Sequence, residues 1–427
     1  MPRFVGVKNG SIRIISNAFF VNDDLTVIEL PQELIGISSQ ELMLNYHLKN
    51  DKVELRKAIK PSDQLKVAFI NNWKMKCGIS TYAEALIPEI SKKVADFKLF
   101  IEYNNSPTQN INIIDNTIAE EDQVIECWRR GEQLDELIEA IEKYEPDVIL
   151  IQHEFGLFPN ARYWLSFISR LSKYRIIVTM HSIFYHEDKT IVEACIPEIV
   201  VHGEGAKEVL KINKEVAGKV YVIPHGCFIN QNLPKLWNFY KSDHTFVTQG
   251  FSFRYKRFED CIKATAILKD KYPDVFFTGL LAESPFNGIE HQIYYEELVQ
   301  LSKTLNVESN ISLIRGFQSE IVIDSFLRTN KVAVFPYGTD PKHLVFGASG
   351  ACRVAMAKGV PIITSGIPHF QDLPSIKANT PEEIAKELDV LFSSKEAQKH
   401  QVDIQNKHLI ENSWEKVADM YLKVFSS

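Results

Sequence analysis

From residue 65 onward, short apolar runs rich in β-branched residues alternate with amphipathic stretches, and the whole alternation occurs twice. In the first series LKVAFINN (65–72), FKLFIEY, DVILIQH, RIIVTMH, EIVVHG and KVYVIPHG are separated by TYAEALIPEISKKV, LDELIEAIEKY, ARYWLSFISRLSKY and GAKEVLKIN. A polar, aromatic stretch, QNLPKLWNFYKSDH (231–244), interrupts it. The series resumes with HTFVTQGF, FEDCIKATAILKDKY, DVFFTGLL, NISLIRGF, KVAVFPYG, SGACRVAMAKG and VPIITSG. Continuous apolar strands joined by amphipathic helices predict parallel sheets covered on both faces. The expected fold class is α/β, with two doubly wound Rossmann-like domains, 63–240 and 241–405, facing a cleft. A C-terminal helix over 406–427 is a candidate to cross back to the first domain.

Residues 1–62 read differently. GSIRIISNAFF and LTVIELP alternate apolar and polar residues and are punctuated by Lys8-Asn9-Gly10 and Asn22-Asp23-Asp24, which suits short strands and hairpins. A small β-rich N-terminal appendage is expected, followed by a linker at Lys60-Pro61-Ser62. Its candidate roles are acceptor docking, oligomerisation or attachment to a partner, and the plainest is a packing extension.

Forty-eight Lys plus Arg against 55 Asp plus Glu give a formal charge of -7, so no global positive field exists to hold a nucleic-acid backbone. The mixed basic and aromatic FRYKRF is therefore not read as a nucleic-acid stripe. Six cysteines without a C-x-x-C pair fit reduced thiols, and no metal is expected from them. No apolar window approaches the roughly 18 residues of a membrane span, and MPRFVGVKNGSIRIISNAFF lacks the pattern of a signal peptide, so a cytoplasmic protein without a transmembrane segment is expected.

Open α/β sheets bind ligands beyond the carboxyl ends of their strands. The ligand is not announced by a standard phosphate motif, because no G-x-G-x-x-G follows a first strand and no G-x-x-x-x-G-K-[ST] occurs. Other segments carry more information: IQHEFGLF (151–158), VTMHS (178–182), VYVIPHG (220–226), QGFSFRYKRFEDCIKA (249–264), AVFPYG (333–338) and SGACRVAMAKGVPIITS (349–365). In order and spacing they resemble the GT-B glycosyltransferases of the family 4 type, over roughly residues 64–427. The resemblance implies retaining transfer of a sugar from a nucleoside-diphosphate sugar to an acceptor hydroxyl, without an essential metal or cofactor. It also implies a glycan, lipid-linked or protein acceptor held by the first domain, the donor by the second, and closure that keeps water from the donor. A homo-oligomer is a further candidate assembly.

The residues read as follows. In NWKMKCGISTY (72–82), Gly78 lets backbone approach a phosphate at a helix start. His153 and His181 end apolar strands, where an imidazole exchanges protons with a hydroxyl near neutral pH. The resemblance assigns His181 to the donor sugar near the reacting carbon, and His153 and Glu154 are acceptor-binding candidates. Lys256 stands where the resemblance puts a phosphate-contacting lysine, and a fixed cation stabilises a departing diphosphate. Phe251 replaces the arginine usual there, with Arg254 or Arg257 as a candidate second charge. Ser349 and Gly350 offer a hydroxyl and backbone N–H groups at a helix start. Gly316 and Phe317 match where the nucleotide base packs.

One departure matters. The family commonly has two glutamates eight positions apart, and Phe346 and Val354 stand in their places here. Lys342 and His343 are candidate substitutes on the same loop. Missing carboxylates count against a nucleotide-sugar epimerase, which needs them for deprotonation, and favour as alternative a non-catalytic sugar or nucleotide-sugar binding subunit.

Overall fold

The computed structural model describes residues 60–75, 77–103, 123–185, 190–229, 242–283, 288–338 and 344–427, together with the backbone strands 4–8, 11–15, 26–29, 46–49 and 52–55. The chain divides into two compact units. The first comprises Met1–Pro224, Val345–Gly347 and Glu415–Ser427; the second comprises His225–Leu344 and Ala348–Trp414. The sequence reading had put the division at 240/241, whereas the units part at Pro224 and His225.

Near the N-terminus, β1 (Phe4–Lys8) pairs antiparallel with both β2 (Ser11–Ile15) and β3 (Thr26–Glu29), and β4 (Tyr46–Lys49) forms a hairpin with β5 (Lys52–Leu55). These are the short antiparallel strands expected of residues 1–62.

The first unit is built on a seven-stranded parallel sheet. Its strands are β6 (Lys66–Asn71), β7 (Asp96–Glu102), β8 (Val124–Trp128), β9 (Val148–His153), β10 (Arg175–Met180), β12 (Glu198–Val201) and β13 (Lys219–Val222). Their spatial order is β13-β12-β10-β9-β6-β7-β8. The chain starts in the middle, works to one edge, and returns to build the other, so the order reverses between β6 and β9. All six side chains of VILIQH in β9 are buried, which is why an unbroken apolar run becomes a central strand here. The covering helices show the complementary pattern: α2 (Asp135–Tyr144) turns Leu137, Ile138, Ile141 and Tyr144 inward and its charges outward. Trp128 and Trp164 are buried, and each indole N–H reaches a carbonyl, of Phe100 at 3.2 Å and Val192 at 3.3 Å. Each such side chain contributes about 1.5–3 kcal/mol of hydrophobic stabilisation.

Within the same unit, β11 (Ser182–Phe184) pairs antiparallel with β18 (Val345–Gly347), setting Phe346 opposite Ile183. The closing segment of α12 (Trp414–Phe425) is held by Arg175, which donates to the carbonyls of Phe425 at 2.8 Å and Val424 at 2.7 Å while forking onto Glu198. A guanidinium at a helix C-terminus satisfies carbonyls that the helix leaves unpaired.

The second unit repeats the plan with six parallel strands, β14 (Thr245–Phe251), β15 (Phe276–Ala282), β16 (Ile311–Arg315), β17 (Val332–Phe335), β19 (Ile362–Thr364) and β20 (Ile376–Lys377). Their order is β16-β15-β14-β17-β19-β20, so the reversal falls between β14 and β17. Helix α9 (Gly350–Ala357) packs small residues against this sheet, burying Cys352, Ala355, Met356 and Ala357. Among the described residues no helix is long and apolar enough to cross a membrane.

Candidate functional site

In the second unit the carboxyl end of β14 carries Gly250 at φ +147°, a conformation that favours glycine. A Cβ there would lie 3.6 Å from Lys256 Cε, 3.8 Å from Lys256 Nζ and 3.8 Å from Tyr337 Oη, so these groups converge on one point. Lys256 closes the short turn after β14. Its ammonium stands 3.6 Å from the Tyr337 ring centroid and 5.1 Å from that of Tyr255. The backbone fixes the arrangement: Lys256 N–H donates to Phe253 O at 2.9 Å, and Gly338 N–H to Tyr255 O at 2.7 Å. No carboxylate pairs with Lys256 among the described residues. Burial pushes its amine down to about 7, against an opposing pull from Cys352.

Tyr337, 2% exposed, ends the β17 segment on the other side of the reversal. Its hydroxyl has no hydrogen-bond partner among the described residues. Burial is the main effect that pushes this phenol well above its ordinary value, and Ser349 beside it pulls the other way.

Ser349 caps α9, its Oγ accepting from Cys352 N–H at 3.4 Å. The Cys352 thiol, pushed up to about 12 by burial, feels both Ser349 and Lys256, which draw it down. Lys256 thus meets Tyr337, Tyr337 feels Ser349, and Ser349 opens the helix whose first-turn N–H groups have no internal acceptor, with the His225 ring 3.7 Å from where a Cβ on Gly350 would stand. Arg353, 2% exposed, braces that helix start: it donates to Ser349 O at 3.0 Å and His225 O at 3.3 Å and pairs with Asp372. The His225 loop is packed so closely that a Cβ at Gly226 would strike the Trp414 ring at 2.2 Å.

Other sequence candidates lie elsewhere. Gly316, at φ +87°, turns the chain after β16, and Phe317 is 41% exposed with its ring 6.4 Å from Phe251. Arg254 does not join the group, which corrects its reading as a second phosphate charge: its guanidinium forks onto Glu297, and both side chains are exposed. Lys342 and His343 lie outside the described residues.

In the first unit, Cys77 caps α1 (Gly78–Ser91), its Sγ accepting from Ser80 N–H at 3.4 Å and Asn72 Nδ2–H at 2.8 Å. A Cβ at Gly78 would meet nothing within 4 Å. His181 follows β10 and is half-buried, but both ring nitrogens are engaged: Nε2 lies 2.8 Å from Gln152 Oε1 and Nδ1 lies 3.2 Å from His202 Nε2. Burial, helped by His202 and His153, holds its imidazole well below the ordinary value. The Tyr82 ring packs edge-on to His181 at 4.8 Å, and its hydroxyl joins Tyr421 and, through it, Thr179.

His153 corrects its expectation as an acceptor contact. It is fully buried and enclosed by Phe155, Phe158 and Trp164, and neither ring nitrogen has a partner among the described residues. Alternation along β9 explains this, because residue 153 shares the face of Ile149 and Ile151, under α3 (Ala161–Arg170). Burial pushes it down to about 3. Glu154 is likewise committed internally, accepting from Ser182 O–H at 2.7 Å and Phe155 N–H at 3.1 Å, and burial pushes its carboxyl up. The sequence reading had not singled out Tyr337, Arg353 or His202. Among the described residues no three His, Cys, Asp or Glu side chains gather as a metal site.

No protein-family model matches the sequence, and no curated protein matches it. Solved structures do resemble it. A glycosyltransferase from Rickettsia africae is similar over 85% of this chain and 98% of its own, at 13% identity and a TM-score of 0.63. The sucrose-phosphate synthase of Thermosynechococcus elongatus is similar over 85% and 100%, at 16% identity and 0.62. An Escherichia coli trehalose-6-phosphate synthase structure bound with UDP-2-fluoro glucose is similar over 85% and 99%, at 11% and 0.64. At such identities the likeness is one of fold, and that fold is GT-B.

Proposed function

We propose that the chain is a retaining glycosyltransferase of the family 4 type, which moves a sugar from a nucleoside-diphosphate sugar to an acceptor hydroxyl without an essential metal. The observation that carries this reading is the Lys256 ammonium, without a carboxylate partner among the described residues, against Tyr337 and within the field of Cys352 in the first turn of the Ser349-capped α9. A departing diphosphate gains negative charge, and a desolvated cation with helix N–H groups stabilises it far more than water would. In this reading the donor phosphate, held there, accepts the acceptor's proton on the face from which it leaves. The acceptor belongs to the first unit, where the open space over Gly78 adjoins the Cys77-capped helix start. Phe317 and Gly316 supply the apolar edge for the base. The fold's likeness to a protein bound with UDP-2-fluoro glucose makes UDP sugars the first to test.

A second reading, a non-catalytic binding subunit, is favoured by one observation. Phe346 and Val354 occupy the places of the family's glutamates, and Phe346 packs on the first unit's core. Titration of UDP- and GDP-sugars during thermal unfolding separates the readings. A true donor at 100 times its Kd adds about 2.7 kcal/mol of apparent stability. Stabilisation with slow release of free nucleotide, lost in folded Lys256→Ala, supports the transferase; stabilisation without turnover supports the binder. No response to any nucleotide sugar overturns both.

A further inference from the structure

A buried hydroxyl without a partner is costly, and such groups in native proteins call for an explanation. Among the described residues Tyr337 Oη is one, and its place is informative. It and Lys256 Nζ each stand 3.8 Å from the same point above Gly250. Both can donate, and among the described residues Tyr337 Oη has no hydrogen-bond partner and Lys256 no carboxylate, while the Ser349 hydroxyl stands near enough to Tyr337 to favour its ionised form. Two convergent donors beside a helix start describe a site for an anion.

We propose that the Tyr337 hydroxyl is a phosphate-binding residue, donating to an oxygen of the leaving diphosphate alongside Lys256. This rests on the donor reading above. It also accounts for Phe251: where the resemblance calls for an arginine as second contact, a phenol from the neighbouring strand supplies the second donor. The Lys256 ammonium stands 3.6 Å from the Tyr337 ring centroid, so an anion that meets one group lies close to the other. The phenol stays protonated throughout the physiological range, as a donor must, because burial disfavours its ionised form.

Tyr337→Phe removes only the hydroxyl and keeps the ring beneath Lys256. Calorimetric titration with UDP, uridine and inorganic pyrophosphate, on wild type and Tyr337→Phe, tests the proposal. Loss of one donor to a charged group is expected to weaken UDP and pyrophosphate about tenfold or more while leaving uridine unchanged. Without ligand, the variant is expected to melt no lower than wild type, since a buried orphan group has been removed. A merely structural hydroxyl would lower the melting temperature and spare the ligands. UDP binding to Tyr337→Phe within about twofold of wild type overturns the proposal and leaves the donor reading intact. Wild-type protein that binds neither UDP nor pyrophosphate overturns both.

Discussion

His202 Nε2 lies 3.2 Å from His181 Nδ1, while His202 Nδ1 faces the carbonyl of Ile223 at 3.1 Å. A carbonyl only accepts, so Nδ1 of His202 carries the proton. With Gln152 Oε1 as the acceptor at the far end, three contacts need three N–H groups, and two neutral imidazoles have two. The pair therefore either holds one extra proton or has Gln152 turn its amide N–H toward His181. Burial, which holds His181 well below its ordinary value, favours the second state at neutral pH.

Replacing His202 by Phe leaves Ile223 O and His181 Nδ1 without a partner. The first is a buried acceptor and the second the N–H that His202 Nε2 accepts, so a loss of about 1–3 kcal/mol is expected in urea unfolding. The His181 ring nitrogens should also change their NMR shifts, because the group that fixes their tautomer is gone. Unchanged shifts would mean that Gln152 alone sets the ring.

Nucleotide binding should depend on the charge of Lys256. Its folded-state value, about 7, lies below the ordinary lysine value because of burial, so the free amine loses its proton as pH rises through neutrality. UDP affinity is expected to be greatest below pH 7 and to fall by up to about tenfold per unit above it. Lys256→Met should bind more weakly and show a flat profile. The unliganded protein behaves oppositely: between about 7 and the ordinary lysine value the unfolded chain binds the proton that the folded one lacks, so stability rises with pH there.

Arg353 is 2% exposed and joins three segments, so its removal should be costly. Arg353→Met leaves the Asp372 carboxylate and two carbonyls unpaired, and a loss of about 3–5 kcal/mol is expected in denaturant unfolding. Adding Asp372→Leu should recover part of that. If the double variant regains stability but still binds UDP poorly, Arg353 also sets the geometry of the α9 start.

The alternation of apolar strands and amphipathic helices was enough to read two parallel α/β sheets, because burial on both faces forces unbroken apolar runs such as VILIQH. Lys256, Ser349 and Gly350 were read from motif spacing, and Lys256 follows β14 while Tyr337 follows β17, the two strands that flank the second unit's reversal. What sequence could not supply was partnership over long separations. Arg254 meets Glu297 43 positions away, and His181 meets His202 21 positions away. Tyr337 stood in a recognised motif, yet its hydroxyl is notable only for lacking a partner among the described residues, which no spacing reveals. His153 is a different case: counting alternate residues back to Ile149 would have put it inside.

His153 supplies the clearest test of that inward placement. Its two nitrogens, without a partner among the described residues, sit among Phe155, Phe158 and Trp164, so a phenyl ring should serve the site as well or better. His153→Phe is expected to raise unfolding free energy at pH 7 by about 1 kcal/mol, since buried orphan atoms are removed. The pH dependence gives a second reading. Burial sets the folded-state value at about 3, below the ordinary histidine value of about 6.5. Within that window the unfolded chain binds a proton that the folded chain does not, so wild-type stability falls as pH drops. The variant should lose less stability from pH 6.5 to 4. A variant that is instead several kcal/mol less stable, with an unchanged acid slope, would mean that the imidazole nitrogens are hydrogen-bonded after all, with an internal water as the partner that makes this strand end polar.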